Sequence, residues 1–324
     1  MRKIKIFSPA RVDFAGGTFD IYPLYLFYPE IFTFNVCLDS GVNVEIREVK
    51  GKSIVKNLNT LESGDIYSEN KNLAIGVLLL RFFNLSRGIE LSFHSDFPSG
   101  SGLGISSSLF VSIFKGLSLF TGKKFSVKQT VEICKNIETV LMGYPAGIQD
   151  YLAPLYGGAN VFEYSVSGWK RRKIPLKKWL SENMVFVFTG KSHMSGSPNW
   201  DLFKGFFDRE RKIVDGFNNL YKLAKQTLDF YLEDNIEKFG KCLLEDFEIR
   251  KTMNKNLVPE IPLFDKLNNV EGVLGYRLCG AASGGTVAVC VRKSKRRDIV
   301  DYLKKEGYVI FDCKVSKNKT GLTV

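Results

Sequence analysis

The sequence contains little histidine, and this shortage argues against several enzyme classes. Only two histidines, His94 and His193, occur among the 324 residues. They are too few for a histidine-rich metal site, and no Gly-x-Ser-x-Gly motif accompanies them as part of a catalytic triad. None of the six cysteines forms a Cys-x-x-Cys pair. We therefore expect reduced, buried thiols, and neither a zinc protein nor a triad hydrolase.

Long apolar runs are also missing. The best candidate, residues 73–83, is too short to cross a bilayer and contains Arg81. Residues 1–7 include basic side chains but no long apolar core and no small-residue cleavage site, which is typical of a first strand and not of a signal peptide. The sequence predicts no contact with a membrane and a cytoplasmic location.

The composition is that of a globular protein with an excess of basic residues. Hydrophobic residues make up 44% of the chain and charged residues 25%, and the length allows two packed domains. The net charge is +12, but the only clusters are residues 170–173 and 292–297, which we interpret as solvated surface turns. This pattern does not favour a nucleic-acid partner, whereas an anionic small-molecule substrate would suit the charge.

The most informative stretch is a glycine-rich loop between a predicted strand and a predicted helix. Residues 89–93 alternate like a half-buried strand, and residues 109–120 fit a buried helix. Between them lie three glycines and three serines: Gly100, Gly102, Gly104, Ser106, Ser107 and Ser108. Glycine permits positive φ and close approach, and the start of a helix attracts anions. Serine hydroxyls can cap the helix or reach a metal ion on a phosphate. The stretch predicts a nucleotide-phosphate site.

Two familiar phosphate loops do not fit this stretch. A Walker loop needs a Gly-Lys-Ser/Thr end, and no lysine lies in residues 96–108. The dinucleotide fingerprint needs a third glycine where this chain has Ile105. Neither a P-loop NTPase nor a Rossmann domain is indicated.

The loop instead resembles the ATP-binding motif of the GHMP kinases, the superfamily of galactokinase, homoserine kinase, mevalonate kinase and phosphomevalonate kinase. The usual pattern is Pro-x-x-x-Gly-Leu-Gly-Ser-Ser, from which this chain departs at Ile105. The resemblance implies that ATP binds to Pro98, Ser99, Gly100, Ser101, Gly102, Leu103, Gly104, Ser106 and Ser107.

Residues 8–20 resemble the first motif of the sugar-kinase branch, in particular of heptose 7-phosphate kinases and fucokinases. There the resemblance implies that Asp20 binds sugar hydroxyls, with Gly17 and Thr18 beside it, and that Arg11 lies next to the catalytic aspartate. The threonine is shifted by one position relative to that branch, so the details of the substrate contacts stay open. A plain Gly-Gly turn closed by an aspartate cap is the alternative.

Residues 143–158 resemble the Gly-x-Gln-Asp-x-Tyr-Ala segment of the same branch. By this resemblance Asp150 is the catalytic residue and Gln149 contacts substrate, while Glu138, 12 positions earlier, binds Mg²⁺ together with Ser106. A carboxylate near the attacking hydroxyl can orient it and accept its proton, which is most of what phosphoryl transfer requires of a side chain. A solvent-facing charge is the alternative for Glu138.

The second half contains a candidate phosphate-binding loop and a third motif. Thr189 to Ser197 follows a buried strand at 184–188, and Lys191 and His193 are either substrate-phosphate contacts or ordinary loop residues. Residues 275–285 resemble the third GHMP motif, with departures at 277, 279 and 282. The positions that we assign to this motif are Arg277, Gly280, Ala281, Gly284 and Gly285.

Local patterns predict several further elements. Residues 33–47 are interpreted as two strands around a turn at 39–41, residues 73–83 as a helix, and residues 126–141 as a helix with a capping box. Helical periodicity spans 203–239, and a strand, a helix and a strand are predicted at 286–291, 298–305 and 308–311.

The resemblance to the GHMP kinases implies an α+β fold with an active site in the cleft between two domains. Residues 1–175 would form an N-terminal ATP-binding domain like the second domain of ribosomal protein S5, and residues 176–324 a ferredoxin-like C-terminal domain. The expected activity is phosphoryl transfer from ATP, with Mg²⁺, to a sugar or sugar phosphate, best a heptose 7-phosphate. The alternatives that stay open are an acceptor of the galactose, fucose, mevalonate or homoserine type, and a non-catalytic protein that senses a ligand or binds a partner. A homo-oligomer is also possible on this sequence.

Overall fold

The computed structural model describes residues 2–191, 197–280 and 284–323. Strands alternate with helices along the chain, and the strands build two sheets. The strands are β1 Lys3–Ala15, β2 Phe32–Lys52, β3 Ile54–Asn57, β4 Glu62–Asp65, β5 Arg87–Ser95, β6 Ala159–Ser165, β7 Gly168–Ile174, β8 Met184–Phe188, β9 Val273–Leu278, β10 Thr286–Val291, β11 Val309–Phe311 and β12 Gly321–Leu322.

The helices are α1 Ala74–Phe82, α2 Ile105–Thr121, α3 Val127–Met142, α4 Gln149–Tyr156, α5 Trp179–Asn183, α6 Ser197–Phe207, α7 Arg211–Leu232, α8 Ile236–Met253, α9 Pro262–Asn269 and α10 Arg296–Lys305. Short 3₁₀ turns occupy Leu24–Phe27, Lys71–Leu73, Lys255–Leu257 and Lys293–Lys295. Within these described ranges, no helix combines the length and the apolar character needed to cross a membrane.

The first sheet has the order β12-β1-β2-β5-β3-β4, and β6 joins β2 to β7. Helix α2 packs on β1 and β2 and is buried along most of its length. Gly116 allows this close packing, because a Cβ there would lie 2.6 Å from Cδ1 of Ile46. Packing on the sheet thus fixes the position of α2 and of the loop that precedes it.

The second sheet has the order β11-β8-β10-β9 with antiparallel neighbours. Helix α8 packs on β9 and β10, and α7 contacts both α8 and β1. The last described strand returns to the first sheet, where β12 pairs with β1. The predicted boundary after residue 175 falls between β7 and α5 and stays a prediction.

The predicted turn at 39–41 is wrong. Residues 33–47 belong to one continuous strand, β2, whose pairing with β1 shifts register between Pro9 and Arg11. Gly41 is needed there for close approach, since a Cβ would lie 2.1 Å from the carbonyl oxygen of Ser8. The turn-like composition therefore marks an irregularity inside a sheet and not a reversal of the chain.

The basic cluster at 170–173 is also not a surface turn, because it lies in β7, the outer strand of the β6–β7 hairpin. Its side chains find local partners: Arg171 donates to Asn160 and lies over the ring of Tyr156, and Arg172 pairs with Glu163. The cluster is held in the hairpin by these contacts.

Other local predictions are confirmed. Helix α3 begins with a capping box in which the side chains of Ser126 and Gln129 bond each other's backbone N–H groups. Helices α1 and α10 and strands β8, β10 and β11 lie where the periodicity placed them. All six cysteines are free and buried.

Candidate active site

A cavity of about 680 Å³ lies at the N-terminal end of α2, where the glycine-rich loop leads into the helix. Its walls come from distant parts of the chain: the first motif, the loop before α2, the start of α4, and α6 of the second half. One end is lined by the loop and by β3, β5 and α1, and the other by residues near Asp20 and α6. The motifs singled out in the sequence therefore meet in one place.

The loop is built from backbone in the left-handed region. Gly100, Gly102 and Gly104 have φ values of 73°, 76° and 71°. A Cβ at Gly102 would lie 2.5 Å from the carbonyl oxygen of Cys279, and one at Gly104 would lie 3.1 Å from Cγ of Arg11. Glycine is required here both for the torsion angle and for the space.

Helix α2 begins directly after this loop, and its N-cap, Gly104, has no side chain with which to satisfy the first N–H groups. Free N–H groups and the positive end of the helix dipole make this an anion site. The buried hydroxyl of Ser101, which lines the cavity, also has no hydrogen-bond partner among the described residues. Ser108 differs, because its hydroxyl donates to the carbonyl oxygen of Pro9 and holds the helix to β1.

Arg11 and Asp150 form a two-pronged ion pair in the wall of the cavity. Nε of Arg11 donates to Oδ1 of Asp150 at 2.8 Å, and Nη2 donates to Oδ2 at 2.6 Å. The third nitrogen, Nη1, donates to the carbonyl oxygen of Gly102 at 2.7 Å. One buried guanidinium thus fixes the Asp150 carboxylate relative to the loop between β5 and α2, which we call the phosphate loop.

The surroundings of Arg11 explain how a charge can be held there. Burial by itself would lower the pKa of the guanidinium, but the attraction of Asp150 and Asp13 outweighs it and raises the pKa above its usual value. Asp150 is 31% exposed at its side chain, whereas Arg11 is 2% exposed. The carboxylate is therefore the member of the pair that faces the cavity.

The carboxylate of Glu138 accepts hydrogen bonds from three hydroxyl groups. Ser106 and Tyr151 donate to its two oxygens, and Ser107 donates at 3.3 Å. Burial raises the pKa of Glu138, and the hydrogen bonds from Ser106 and Tyr151 oppose that rise. The structure thus brings Ser106 and Glu138 into contact beside the phosphate loop.

Asp20 lies beside the start of α4, where its carboxylate accepts from the backbone N–H of Gln149 at 3.0 Å. Burial and the nearby charge of Asp150 raise the pKa of Asp20 to about 7, against hydrogen bonds that lower it. Gly147 leaves room for the carboxylate, since a Cβ there would lie 2.1 Å from Oδ2. Asp20 lines the cavity and also supports the helix that carries Asp150.

The side chain of Gln149 lines the cavity next to Asp20. Its Oε1 is buried and has no hydrogen-bond partner among the described residues. A buried acceptor without a donor costs free energy, so we expect this atom to accept a hydrogen bond from a ligand hydroxyl or a water molecule.

Next to the residues that line the cavity lies a network of buried side chains with alternating charge. Arg277, which is fully buried, donates to Asp13 at 2.9 Å and lies 3.7 Å from Asp246. Asp246 in turn accepts from Nε of Arg250 at 2.9 Å. Since Asp13 also lies 3.8 Å from Arg11, the network continues to Asp150.

The far end of this network supports the first motif. Arg250 donates to the carbonyl oxygen of Gly17 at 3.0 Å and to the hydroxyl of Thr18 at 3.4 Å. Gly17 and Thr18 are thus joined through α8 to the ion pairs that lead to Asp150. Thr18 has a φ of 84°, which its neighbours must stabilise.

The third motif, residues 275–285, packs against the phosphate loop. The N–H of Gly280 donates to Asp13 at 3.0 Å, and the N–H of Thr286 donates to the carbonyl oxygen of Ser101 at 2.8 Å. A Cβ at Gly285 would lie 2.7 Å from the same oxygen. The motif therefore braces the loop, while Ala281 lies outside the described residues and Gly284 is buried nearby.

The predicted phosphate contacts of the second half have a different outcome. Lys191 is exposed and does not line the cavity, and its backbone carbonyl accepts from the N–H of Gly285. His193 lies outside the described residues. Their assignment to substrate phosphate stays a prediction.

Sequence reasoning missed three charged residues of this site: Asp13, Asp246 and Arg250. Asp13 stood in a recognised motif without a role. Asp246 and Arg250 left a signal in α8, because they fall on the same helical face as buried Leu243, Phe247 and Met253. Charges four positions apart on an apolar face predict a buried pair.

The chain is similar to known proteins both in sequence and in fold. Residues 72–158, which include the phosphate loop, Glu138 and Asp150, match the family model of the GHMP kinases N terminal domain. Residues 72–158 are therefore a GHMP kinases N terminal domain by sequence. The predicted phosphotransferase activity toward an alcohol group, with ATP as the nucleotide, is confirmed at the level of the superfamily.

The chain is similar to two kinases that act on sugars or sugar phosphates by their names. It is 25% identical over 97% of its length to the bifunctional fucokinase/GDP-fucose pyrophosphorylase of Arabidopsis thaliana, of which it spans 32%. It is 24% identical over 95% of its length to the D-glycero-alpha-D-manno-heptose 7-phosphate kinase of Campylobacter jejuni and covers 96% of that protein.

The fold of this chain is also seen in crystal structures. The D-glycero-D-manno-heptose 1-phosphate kinase of Bacteroides thetaiotaomicron superposes with a TM-score of 0.77 over 100% of this chain and 99% of that one, at 17% sequence identity. The predicted α+β two-domain GHMP fold is thereby confirmed.

Proposed function

We propose that this protein transfers the γ-phosphoryl group of ATP to a hydroxyl of a sugar or sugar phosphate, and that a heptose 7-phosphate is the first acceptor to test. The observation that carries the proposal is the Arg11–Asp150 pair, which holds a partly exposed carboxylate in the same cavity as a backbone-built phosphate loop.

In this reaction the acceptor oxygen bonds to the γ-phosphorus, the bond from that phosphorus to the bridging oxygen breaks, and ADP leaves. Asp150 orients the acceptor hydroxyl and takes its proton, and Arg11 holds both oxygens of Asp150 in place. The loop N–H groups and the start of α2 stabilise charge on the phosphates.

Ser106 and Glu138 would hold Mg²⁺. They fit this ion, because a hydroxyl and a carboxylate oxygen lie together beside the phosphate loop. No group of three or more acidic, histidine or cysteine side chains that could hold a metal occurs among the described residues, which suits an ion that takes most ligands from phosphate and water. When bound, Mg²⁺ neutralises charge on the nucleotide.

Several features support a sugar acceptor. Asp20 and the unpaired Oε1 of Gln149 face the cavity near Asp150, and both accept hydrogen bonds from hydroxyl groups. Relatives with heptose phosphate and fucose in their names cover most of the chain. A phosphorylated acceptor is supported by the net charge of +12.

The test is ADP release with MgATP against a panel of hexoses, heptoses and their phosphates, with mevalonate and homoserine included. We expect one sugar or sugar phosphate to give turnover, and Asp150→Asn to lower kcat by about 10²–10⁴-fold while ATP binding changes little. Asp229→Asn, an exposed carboxylate of α7 outside the cavity, is the matched control.

Other outcomes would redirect the proposal. Turnover of mevalonate or homoserine alone would replace the sugar with a different acceptor. ATP binding without turnover of any compound would favour a ligand-sensing or partner-binding protein.

A further inference from the structure

Helix α6 has an aromatic side that nothing in the proposed chemistry uses. Asn199, Trp200 and Phe203 line the cavity, and the rings of Trp200 and Phe203 stack with centroids 5.3 Å apart at 19°. The helix is anchored in the core through buried Leu202 and through Phe206, which packs on Phe217. The cavity-facing aromatics are therefore fixed in position by the fold.

This aromatic pair lies at the acceptor end of the cavity. The hydroxyl of Thr18 donates to Oδ1 of Asn199 at 3.2 Å, which ties α6 to the turn that carries Asp20. Trp200 and Phe203 are only partly buried, so each leaves apolar surface facing the cavity. Such surface favours an occupant with an apolar face of its own.

The polar groups opposite set a second requirement. Asp20 accepts hydrogen bonds, and the buried Oε1 of Gln149 lacks a donor among the described residues. The occupant must therefore present hydroxyl groups on one side and C–H groups on another. A sugar ring has this division, since its hydroxyls point outward at the edge and its axial C–H groups form an apolar face.

We propose that Trp200 and Phe203 form a stacking platform for the ring of the acceptor, and that this platform selects a cyclic sugar over an open-chain alcohol. The inference rests on the proposed sugar-kinase function. It assigns α6 a binding role: the ring lies on Trp200, and its hydroxyls reach Gln149 and Asp20.

The experiment compares Trp200→Ala and Trp200→Phe with the wild type, using the sugar that the wild type phosphorylates and the corresponding alditol. The alditol keeps the hydroxyls but has no ring. Phe207→Ala is the matched control, because Phe207 is an aromatic residue of the same helix that is 39% exposed and does not line the cavity.

We expect Trp200→Ala to raise the KM for the sugar by about 10-fold and Trp200→Phe by less, because phenylalanine keeps part of the platform. The KM for ATP and the KM for the alditol should not change, and Phe207→Ala should resemble the wild type. Sugar binding without ATP should change the tryptophan fluorescence of the wild type but not of Trp200→Phe, in which Trp169 and Trp179 remain.

Several results would overturn the platform. They are an unchanged sugar KM in Trp200→Ala, an equal rise in Phe207→Ala, and a fluorescence change on sugar binding that is as large in Trp200→Phe as in the wild type. The fluorescence test decides the matter even if Trp200→Ala fails to fold. Sugar turnover with no role for Trp200 removes this inference alone, whereas absence of any sugar turnover by the wild type removes the proposed function as well.

Discussion

The two ends of the cavity are built in different ways. At the proposed nucleotide end the lining groups are mostly backbone: three left-handed glycines and the open start of α2. At the proposed acceptor end they are side chains from both halves of the chain, held by a network of buried ions. Contiguous backbone makes the first end local, whereas the second depends on how distant elements pack.

This difference predicts where each end is vulnerable. A backbone site should fail when a side chain is added to it, and an ion network should fail when one charge is removed. Three experiments test this contrast, beginning with the largest expected effect.

The largest effect should come from Arg277→Met. This change leaves Asp13 and Asp246 buried without their shared cation, and we expect the free energy of unfolding to fall by about 3–5 kcal/mol. Arg277→Lys keeps the charge but loses the forked geometry, so its loss should be smaller. Urea unfolding measures both.

The matched control for Arg277→Met is Arg292→Met, which breaks an ion pair between exposed side chains, Arg292 and Glu237. Its effect should lie within about 1 kcal/mol. Equal losses in the two methionine variants would show that the buried network does not stabilise the acceptor end.

The second effect should come from Gly102→Ala. The new Cβ would lie 2.5 Å from the carbonyl oxygen of Cys279 at a φ of 76°, so the phosphate loop must shift. We expect ATP affinity to fall by about 10-fold or more, which is the effect of losing one or two loop hydrogen bonds. Calorimetric titration with ATP measures it.

Gly122→Ala separates strain from displacement. Gly122 has a φ of 73° at the end of the same helix, but a Cβ at this position would have no neighbouring atom within 4 Å. The substitution should cost about 1 kcal/mol of stability and leave ATP affinity unchanged. A comparable loss of ATP affinity in both variants would contradict a local effect at the loop.

The smallest effect concerns Asp20 and pH. The pKa of Asp20 is raised to about 7 in the folded protein, against 3.8 ordinarily, so its proton stabilises the fold below about pH 4 and that contribution is lost as pH rises through about 7. Asp20→Asn cannot ionise. The stability of the wild type relative to this variant should therefore decline between about pH 5 and about pH 8, by ~1 kcal/mol or more.

Unfolding at the two pH values measures this change, and Asp234→Asn provides a contrast of opposite sign. Hydrogen bonds from Lys177 and Trp179 lower the pKa of Asp234, so the wild type should gain on that variant as pH rises from about 3 to about 5. A constant difference between the wild type and Asp20→Asn would contradict the raised pKa.

Sequence reasoning succeeded where a function is carried by neighbouring residues. Gly100 to Ser107 could be recognised because their spacing alone determines a strand, a turn and a helix start, and the capping box at Ser126 is likewise local. It failed at 39–41, where turn-like residues lie within a continuous strand because Gly41 must pass close to Ser8.

The sequence by itself indicated the resemblance to the GHMP kinases, the glycine-rich loop before α2 and a neighbouring Arg11 and Asp150, because these follow from residue order and from motifs of short spacing. Only the tertiary structure decided that Arg11 bonds both oxygens of Asp150, that Arg277 stands between Asp13 and Asp246, and that Trp200 lines the same cavity. Those contacts join residues far apart in the chain, and their geometry follows from how the two sheets and α8 pack together.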